Sequence, residues 1–563
     1  MPDTTVLSTG YHLENFTTLL ATVEQTYSDL LTPQEQHFLN SFKALPTLAQ
    51  NLYVRLIMRK GPYFRKDKLN YSELGAIGPL LETLEEHNLV ELNPLDNPTA
   101  CLKLLLKHEL ISLFPNLPVL PNCKRADLEH QLLMGEVYNF ASITQILSEN
   151  IHWCAPLQTN IITLFKLLFF GNTHQDLTEF VVSDLGVVRF EKYVIDSDHR
   201  FFNSRDRLES LLIISQVKER FYENTKAHSQ ADLQQFAEQL SAPEIDTCAA
   251  LDDYVARKQG QALNLIARQL ERLKEGSLAL EIYQRSQEPP SKERQARLLA
   301  QANNIAQVYS LCQSMQSPDA TPEEQIFAAE FQQRIAKKTG TPPPAYQPPI
   351  HQPRMLSLTL PQQQTRVELD VCAHYENQGY ETFFLENLLF NGLLGIWFWE
   401  IIFAPAVDAF FNPYQRGPRD LFSPEFARKR QTQIMARLEA LNDDHWQDSL
   451  LTLAQKKRGI ANHLVTWEAL PNDVITRLAH ILPVSDVRTV FTQMLRHLGY
   501  YRSGFPDLLI YREDKGYQFV EVKGPGDTLQ KNQKQWLSFF QQHNIPAVVA
   551  QIAWLDKLGG LKS

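Results

Sequence analysis

Apolar residues recur at every third or fourth position along residues 11–60 and again along residues 205–338. Near the start, Phe16, Leu19, Leu20 and Val23 follow this spacing, which places their side chains on one face of an α-helix. The second region is rich in Ala, Gln, Glu, Leu and Arg and has small residues where paired helices would pack closely. The pattern predicts that the N-terminal two-thirds of the chain is mainly α-helical.

The pattern changes near the C-terminus, where short apolar runs replace the helical spacing. The runs Leu508–Tyr511 and Tyr517–Val522 flank the turn sequence Glu513–Gly516, which predicts a β-hairpin. A helix-like segment carrying Gln533 and Trp536 and a third apolar run over residues 547–552 follow. The order strand, strand, helix, strand predicts a C-terminal α/β domain with a mixed central sheet.

The hairpin carries acidic and basic side chains near the end of both strands. Because strand residues alternate between faces, Glu521 and Lys523 project on the same side. Asp507 joins them if the loop has three residues, with Gly516 as a bulge residue, since Asp507 then lies opposite Glu521. A loop with an even number of residues would instead place Asp507 opposite Val522. The sequence leaves both registers open.

Two neighbouring carboxylates and a lysine are a donor set for metal-dependent chemistry. Carboxylate oxygens bind hard divalent cations, and Mg²⁺ keeps water molecules that can attack a phosphate. An ammonium group beside the cation supplies positive charge or orients the water. The alternative is a solvated hairpin whose charged residues have no chemical role, because Asp, Glu and Lys are common on exposed strands.

The hairpin and the helix after it also resemble a known family. The residues Pro506 and Asp507, the phrase EVKGP from Glu521 to Pro525, and Gln533 and Trp536 resemble the signature of the VRR-NUC class of PD-(D/E)xK nucleases. The resemblance implies a further acid from an upstream helix. Glu386 at the start of ENLLFNGLLGIWFWEIIF is the first candidate, and Glu381 is its rival. The apolar stretch from 384 to 406 is interpreted as a buried helix because Glu386 and Glu400 argue against a membrane span.

Composition limits the partners that the chain can have. The 563 residues have a formal net charge of −10, with 44% hydrophobic and 21% charged residues, as in ordinary globular proteins of several domains. A DNA-binding surface must therefore come from local basic patches. The six cysteines show no CxxC spacing, which argues against zinc and disulfides and favours the reducing cytoplasm. The N-terminus does not resemble a signal peptide.

Two basic segments in the N-terminal third are candidates for DNA contact. The first interleaves basic residues with Tyr and Phe and contains Arg59, Lys60, Arg65, Lys66 and Lys68, which suits phosphate contact; a solvated basic helix end is the alternative. The second resembles a SAP module, in which two helices flank a proline-rich turn between residues 102 and 132. Lys124 and Arg125 begin its second helix. A plain helical hairpin is the alternative there.

Taken together, the motifs resemble the bacterial form of the Fanconi-associated nuclease family. They are YVRLIMRKGPYFRKDKLNYSEL, the SAP-like segment, a TPR-like scaffold, ENLLFNGLLGIWFWEIIF, FFNPYQRGPRDLFSPEFARKR and the VRR-NUC module. The resemblance implies a structure-selective nuclease that cuts 5′ flaps, degrades DNA as a 5′–3′ exonuclease and acts in interstrand crosslink repair. Its partner would be branched or flapped double-stranded DNA, and its cofactor one or two Mg²⁺ or Mn²⁺ ions.

The same resemblance assigns roles to individual residues. It implies that Glu386, Asp507, Glu521 and the backbone carbonyl of Val522 bind metal, that Lys523 is the catalytic lysine and that Gln533 is an accessory catalytic residue. Basic residues between 413 and 430 and just before Asp507 are further candidates for phosphate contact. These are Arg416, Arg419, Arg428, Lys429, Arg430 and Arg502.

The expected fold class is multidomain, with a mainly α N-terminal two-thirds and a C-terminal PD-(D/E)xK nuclease domain. The expected domains are an N-terminal helical domain at 1–70, a SAP-containing domain at 71–235, a TPR-like domain with a proline-rich linker at 236–354, and the nuclease domain at 355–563. Two other functions stay open: a nuclease that resolves Holliday junctions, and a scaffold that binds DNA without cutting it.

Overall fold

The computed structural model describes residues 10–118, 122–135, 137–175, 188–317, 320–340, 353–361, 366–442, 445–555 and 561–562. The proline-rich linker predicted at 342–353 lies outside these residues except for Pro353. The chain forms two compact units, residues 1–187 and residues 188–563. Each unit is described separately below.

The first unit is helical with one small sheet. Its helices are Tyr11–Tyr27, Pro33–Ala44, Thr47–Ile57, Ile77–Glu86, Pro98–Leu102, Lys107–Leu113, Arg125–Leu133, Phe140–Asn150 and Thr159–Phe170. Strands β1 (Phe64–Arg65), β2 (Val90–Leu92) and β3 (Trp153–Pro156) form an antiparallel sheet in the order β1-β3-β2. The sequence pattern did not predict this sheet, because strands of two to four residues are too short to show an alternation.

The two compact units divide the chain at residue 187 rather than at the domain boundaries expected at 70 and 235. Strand β1 pairs with β3, and the ring of Phe38 packs on that of Phe165 at 5.9 Å, so residues on both sides of position 70 share one core. Position 235 falls inside the helix Gln230–Gln239. Local composition does not reveal the division between the units, because tertiary packing decides where a domain ends.

The SAP-like segment folds as the predicted pair of helices. Lys107–Leu113 and Arg125–Leu133 are joined by a turn of which residues 119–121 lie outside the described part. Leu110, Phe114, Leu128 and Leu132 are buried in one apolar cluster with Trp153 of β3. The two helices therefore share the core of the first unit.

The second unit begins with a layer of paired helices. They are Arg205–Glu223, Gln230–Gln239, Pro243–Leu251, Asp253–Arg272, Gly276–Gln284, Ser291–Gln301, Ile305–Ser314 and Pro322–Thr339. Successive helices pack against each other, and small buried residues such as Ala279, Ala296 and Ala328 allow their backbones to approach closely. The predicted helical scaffold is confirmed.

The C-terminal domain is built on a mixed sheet. Its strands are β4 (Met355–Leu360), β5 (Glu381–Phe384), β6 (Leu508–Arg512), β7 (Gly516–Lys523), β8 (Ala547–Leu555) and β9 (Leu561–Lys562). Their order is β4-β8-β7-β6-β5, with β9 also paired to β8. Strand β8 runs parallel to both β4 and β7, whereas β5, β6 and β7 pair antiparallel. The predicted order of strand, strand, helix, strand is confirmed.

Helices cover both faces of this sheet. On one face the helix Val367–Glu376 packs its Val371 and Tyr375 over Leu508 and Val520. On the other face Phe390 from the helix Leu388–Trp397 and Phe540 from Lys531–Gln542 pack over Leu509 and Phe519. This second face is the one that carries Asp507, Glu521 and Lys523, since all are odd-numbered residues of the same strands.

The most apolar stretch of the chain is buried as predicted. It forms two short helices, Leu388–Trp397 and Trp399–Ile402, rather than one long helix. No described helix has the length and apolar character needed to cross a membrane. The remaining helices of the domain are Pro424–Lys429, Gln431–Glu439, Trp446–Lys457, Asn472–Ile481, Val484–Arg496 and Leu498–Tyr501.

Candidate active site

The β6–β7 hairpin has the register that brings the two acids together. Arg512 pairs with Gly516 and Leu508 pairs with Val520, so the next position along places Asp507 opposite Glu521. The loop has three residues, and Gly516 adopts a φ of +72° that a residue with a Cβ rarely takes. The three-residue loop of the sequence hypothesis is confirmed, and the even loop is wrong.

The carboxylate of Asp507 is held by the neighbouring strand. Its Oδ2 accepts a hydrogen bond of 2.8 Å from the backbone N–H of Val522. Burial raises the pKa of Asp507 to about 6, an effect opposed by the Val522 hydrogen bond and strengthened by nearby carboxylates. One carboxylate oxygen is therefore fixed to the backbone, while Oδ1 is free of that bond.

Glu521 is a fully buried carboxylate at the centre of the sheet. The residue has 0% of its surface exposed, and neither carboxylate oxygen makes a hydrogen bond of ordinary geometry with a described group. The Nζ of Lys523 lies 2.7 Å from Oε1 as an ion pair. Burial and the negative charge of Asp507 raise the pKa of Glu521 to about 7, although Lys523 opposes the shift. A buried carboxylate with so few partners fits a cation-binding role.

Glu386 lies beside this pair but not on the helix itself. The helix begins at Leu388 with Asn387 as its N-cap residue, so the prediction that Glu386 opens the helix is wrong by two residues. Its backbone N–H donates to the carbonyl of Asp507 at 3.0 Å, and its φ of +36° is a strained value for a residue with a side chain. The Nδ2 of Asn387 donates to its Oε1 at 2.7 Å.

The rival acid Glu381 is placed elsewhere. It lies opposite Tyr511 at the far end of β6 from Asp507, and its carboxylate accepts from the Nε of Arg477 at 2.8 Å. The hydrogen bond and charge of Arg477 lower the pKa of Glu381. Glu381 therefore forms an ion pair with Arg477 at the surface and does not belong to the site.

Gln533 has a structural task in its helix. Its Oε1 accepts from the backbone N–H of Gln530 at 2.9 Å, which closes a capping box at the N-terminus of Lys531–Gln542. The oxygen of Gln533 is thus used by the cap. The catalytic role of Gln533 and the metal-binding role of the Val522 carbonyl stay predictions.

A glycine allows the segment before Asp507 to pass close to this helix. Gly504 has a φ of +91°, and a Cβ built on it would lie 2.8 Å from the carbonyl carbon of Asn532. The Oδ1 of Asn387 accepts from the backbone N–H of Gly504 at 2.8 Å. Asn387 therefore ties Glu386 to the segment that leads into Asp507.

Sequence reasoning missed Glu368 and Asn387. Glu368 lies in the first turn of the helix Val367–Glu376, and its negative charge contributes to the raised pKa of Asp507. An acid in the first turn of the helix between β4 and β5 was the available signal. Asn387 gave no signal, because its two contacts depend on the tertiary path of the chain.

The acids fit a divalent cation chemically, although they do not form a closed cage. Among the described residues, no three Asp, Glu, His or Cys side chains are grouped closely enough to hold a metal ion by themselves. Burial first, and the charge of neighbouring carboxylates second, raise the pKa values of Asp507 and Glu521. Glu521 and the free Oδ1 of Asp507 are oxygen donors suited to Mg²⁺, which completes its coordination with water.

The predicted DNA-contacting residues of the first unit divide into two groups. Arg59, Lys60, Lys66, Lys68 and Lys124 are exposed, so they are accessible to phosphate and their role stays a prediction. Arg65 bonds both Asp67 and Glu109, and Arg125 donates to the carbonyl of Leu105 and pairs with Glu129. These bonds use the guanidinium groups of Arg65 and Arg125 within the fold, and their contact with DNA stays a prediction.

The predicted basic residues of the nuclease domain divide in the same way. Arg416 and Arg502 are exposed. Arg419 is buried against Glu425 and Arg430 against Asp420, so both guanidinium groups already have partners within the fold, and their phosphate contact stays a prediction. Arg428 pairs with Asp253, and Lys429 donates to the carbonyl of Val407 at 3.2 Å.

Two family models match the sequence. The model described as FAN1, HTH domain matches residues 10–91, and the VRR-NUC domain model matches residues 442–554. The second match includes Asp507, Glu521 and Lys523, whereas Glu386 lies before it.

Curated relatives extend the similarity over the whole chain. The Fanconi-associated nuclease 1 homolog of Pseudomonas aeruginosa is 30% identical over 554 residues, which are 97% of this chain and 96% of that protein. The homolog of Oryza sativa is 23% identical over 620 residues, covering 98% of this chain and 63% of the rice protein.

Solved structures agree with the fold. A crystal structure of paFAN1 bound to DNA with a 2-nucleotide 5′ flap and a gap has a TM-score of 0.83 and 29% sequence identity, covering 98% of this chain and 99% of that one. A second structure, with a 1-nucleotide 5′ flap, also has a TM-score of 0.83 and covers 97% of this chain.

Proposed function

Because this chain belongs to the Fanconi-associated nuclease family, we propose that it hydrolyses phosphodiester bonds in branched DNA, with a preference for 5′ flaps. The observation that carries the proposal is the meeting of Asp507, Glu521 and Lys523 on one face of the β6–β7 hairpin. The buried carboxylate of Glu521, which lacks ordinary hydrogen bonds, is difficult to explain as a structural group.

Asp507 and Glu521 would hold the divalent cation, and Glu386 would contribute a third carboxylate from the adjoining segment. The chemistry that Mg²⁺ or Mn²⁺ supplies at such sites is activation of water and stabilisation of charge on the leaving oxygen. The Val522 hydrogen bond fixes the orientation of Asp507, so its remaining oxygen faces the site without further ordering cost.

Lys523 supplies the positive charge of the site. The Nζ of Lys523 lies 2.7 Å from Oε1 of Glu521, and 12% of the Lys523 side chain is exposed. The ammonium group is therefore largely shielded from solvent but still accessible. From this position it can donate a hydrogen bond to the attacking water or to a phosphate oxygen, and it opposes the negative charge that develops during hydrolysis.

The finer activities rest on the relatives. The paFAN1 structures contain 5′-flap DNA, which supports the same substrate class here. We extend the proposal to 5′–3′ exonuclease activity and to a role in interstrand crosslink repair, as expected from the family. The cytoplasmic, nucleoid-associated location stays a prediction.

Cleavage of a fluorescent 5′-flap DNA tests the proposal. We expect Asp507→Ala and Lys523→Ala to bind the flap but to cut it at least ~100-fold more slowly with Mg²⁺ or Mn²⁺, and we expect EDTA to stop the natural enzyme. Glu381→Ala is the matched control, because it removes a carboxylate of the same sheet outside the site.

Unchanged cutting by either site variant would contradict the assignment. Binding without any metal-dependent product from the natural chain would indicate a scaffold instead. Faster cutting of a four-way junction than of a flap would favour a resolvase.

A further inference from the structure

Four side chains from three separate segments form one cluster near the acids. The guanidinium carbon of Arg502 lies 4.4 Å from the ring centroid of Phe422. The ring of His463 packs edge-on against the same ring at 5.7 Å, and the backbone N–H of His463 donates to the carbonyl of Arg416 at 3.0 Å. We call Arg416, Phe422, His463 and Arg502 the arginine platform.

Two asparagines connect the platform to the candidate active site. The Nδ2 of Asn391 donates to the carbonyl of Arg502 at 2.7 Å and to that of Asn387 at 2.6 Å. Asn387 in turn bonds the carboxylate of Glu386 and the backbone N–H of Gly504. The backbone of Arg502 is therefore fixed relative to Glu386 and to the segment that leads into Asp507.

The two arginines of the platform carry uncompensated charge. Within the described part of the chain, neither Arg416 nor Arg502 has a carboxylate at ion-pair distance, whereas Arg419, Arg428, Arg430 and Arg512 each have one. Desolvation and the positive charges of Arg416 and Arg502 together lower the pKa of His463. Both charges therefore act on the same small region.

A stacked guanidinium has a defined orientation. Phe422 contacts the guanidinium of Arg502 through its ring, and a planar guanidinium held in this way can donate two N–H groups to two phosphate oxygens. The backbone of Phe422 passes close to Gly499, where a built Cβ would lie only 2.4 Å from the Phe422 carbonyl oxygen. A larger residue at position 499 would displace the ring that supports Arg502.

We propose that the arginine platform is a binding subsite for a DNA backbone phosphodiester next to the one that is cut. The inference rests on the proposed nuclease function and adds a positioning site to it. Arg502 would bind the non-bridging oxygens, Arg416 would add charge, and His463 would keep Phe422 in place. The hydrogen bonds of Asn387 and Asn391 fix the backbone of Arg502 relative to Glu386 and to the segment before Asp507. A phosphate bound by Arg502 would therefore place the next phosphodiester at a fixed position beside the acids.

Binding measurements separate this proposal from the cleavage proposal. In an Asp507→Ala background without metal, Arg502→Ala and Arg416→Ala should each weaken 5′-flap binding ~10-fold. Each should also lower the slope of log Kd against log salt by about one, as expected for one lost phosphate contact. Arg502→Lys should restore the slope but not the full affinity, because lysine lacks the planar fork.

Arg477→Ala is the matched control. Arg477 is an exposed arginine of the same domain that pairs with Glu381 and covers the ring of Tyr511. Its replacement should change neither affinity nor slope, and unfolding midpoints of all variants would show that each is folded.

Single methylphosphonates at the phosphates flanking the cut then locate the contact. The neutral group at the bound phosphate should slow cutting by an otherwise natural enzyme ~10-fold and should have no further effect on Arg502→Ala. The subsite proposal would be overturned if each methylphosphonate slowed the natural enzyme and Arg502→Ala equally. It would also be overturned if the salt slope of Arg502→Ala equalled that of the protein with natural Arg502. If the natural chain cuts no DNA at all, the nuclease proposal fails, while the salt slopes still decide whether the platform binds phosphate.

Discussion

At the scale of single residues, burial of Glu521 is the largest energetic demand of the site. A carboxylate without exposed surface is costly to ionise, and burial raises its pKa from 4.5 to about 7. A raised pKa in the folded state adds stability that is fully present below pH 4.5 and is lost as the pH rises through about 7. The metal-free protein is therefore expected to lose stability between pH 5 and pH 8.

Glu521→Gln should remove the part of this pH dependence that comes from Glu521 and leave the part that comes from Asp507. In EDTA, the unfolding midpoint of the variant minus that of the natural protein should become more positive from pH 5 to pH 8. The change should correspond to ~1–3 kcal/mol in the free energy of unfolding. Mg²⁺ should raise the unfolding midpoint of the natural protein at pH 8 and should raise that of the variant less. Glu381→Gln is the control, because Arg477 lowers its pKa and the midpoint difference should be constant between pH 6 and pH 8. Parallel pH curves for Glu521→Gln and the natural protein would contradict the prediction.

Gly504→Ala tests the close approach before Asp507. The new methyl group would meet the backbone of Asn532 at 2.8 Å, so the segment or the helix must move and cutting should fall at least ~10-fold. Gly526→Ala shares the unfavourable backbone conformation, with φ +87°, but meets no atom within 4 Å. We expect that variant to cut DNA at a nearly natural rate. Equal activity of the two variants would show that the contact with Asn532 is unimportant.

At the scale of elements, much of the candidate site followed from local rules. The turn residues Glu513–Gly516 and the alternation of β7 were enough to predict the hairpin but left two registers open, of which the structure has the one with the three-residue loop. The resemblance contributed Glu386, which lies far from the hairpin in sequence. The positive φ of Glu386 and its contact with Asn387 were not predictable, because tertiary packing imposes them.

The predicted basic residues show where local reasoning fails. Arg65 and Arg419 have the same type of sequence surroundings as Arg59 and Arg416, yet the folded chain pairs them with carboxylates, Glu109 from a separate helix and Glu425 six residues further on. Glu109 and Glu425 become their partners only in the folded chain. Sequence can identify an arginine, whereas its availability to DNA depends on contacts that no local pattern records.

The ion pair of Arg430 and Asp420 is expected to stabilise the segment that carries the platform. The side chains are 2% and 0% exposed, and Nη1 lies 2.9 Å from Oδ2. Asp420→Ala would leave a buried charge unpaired and should lower the free energy of unfolding by ~3–5 kcal/mol, measured by urea unfolding. Asp514→Ala, which breaks the exposed pair with Arg512, should change stability little. A small effect of Asp420→Ala would indicate that water reaches the pair.

At the scale of the second unit, the helical layer and the nuclease domain share buried contacts. The ring of Phe201 lies 4.4 Å from that of Phe411. Arg207 bonds Asp408 at 2.7 Å and Asp252 at 2.6 Å. The guanidinium of Arg419 covers the ring of Tyr254 at 4.3 Å. The contacts of Phe201, Arg207 and Tyr254 with Phe411, Asp408 and Arg419 join the helical layer to the C-terminal domain.

The fragment 355–563, which matches the nuclease domain expected from sequence, should therefore fold poorly by itself. It would expose Phe411 and leave Asp408 without its arginine, whereas the fragment 188–563 retains both contacts. We expect a cooperative thermal transition and flap cutting from the longer fragment only. Comparable unfolding midpoints for the two fragments would show that the shared contacts contribute little.

The position of β8 has a consequence for synthesis of the protein. This strand lies between β4 and β7 in the sheet and pairs with the strand that carries Glu521 and Lys523. In the sequence, β8 comes after all the acids of the candidate site. A nascent polypeptide leaving the ribosome exposes Glu386, Asp507 and Glu521 before the strand that completes the sheet exists. An unfinished chain therefore lacks the support of its catalytic strand, which would keep incomplete copies of a DNA-cutting enzyme inactive.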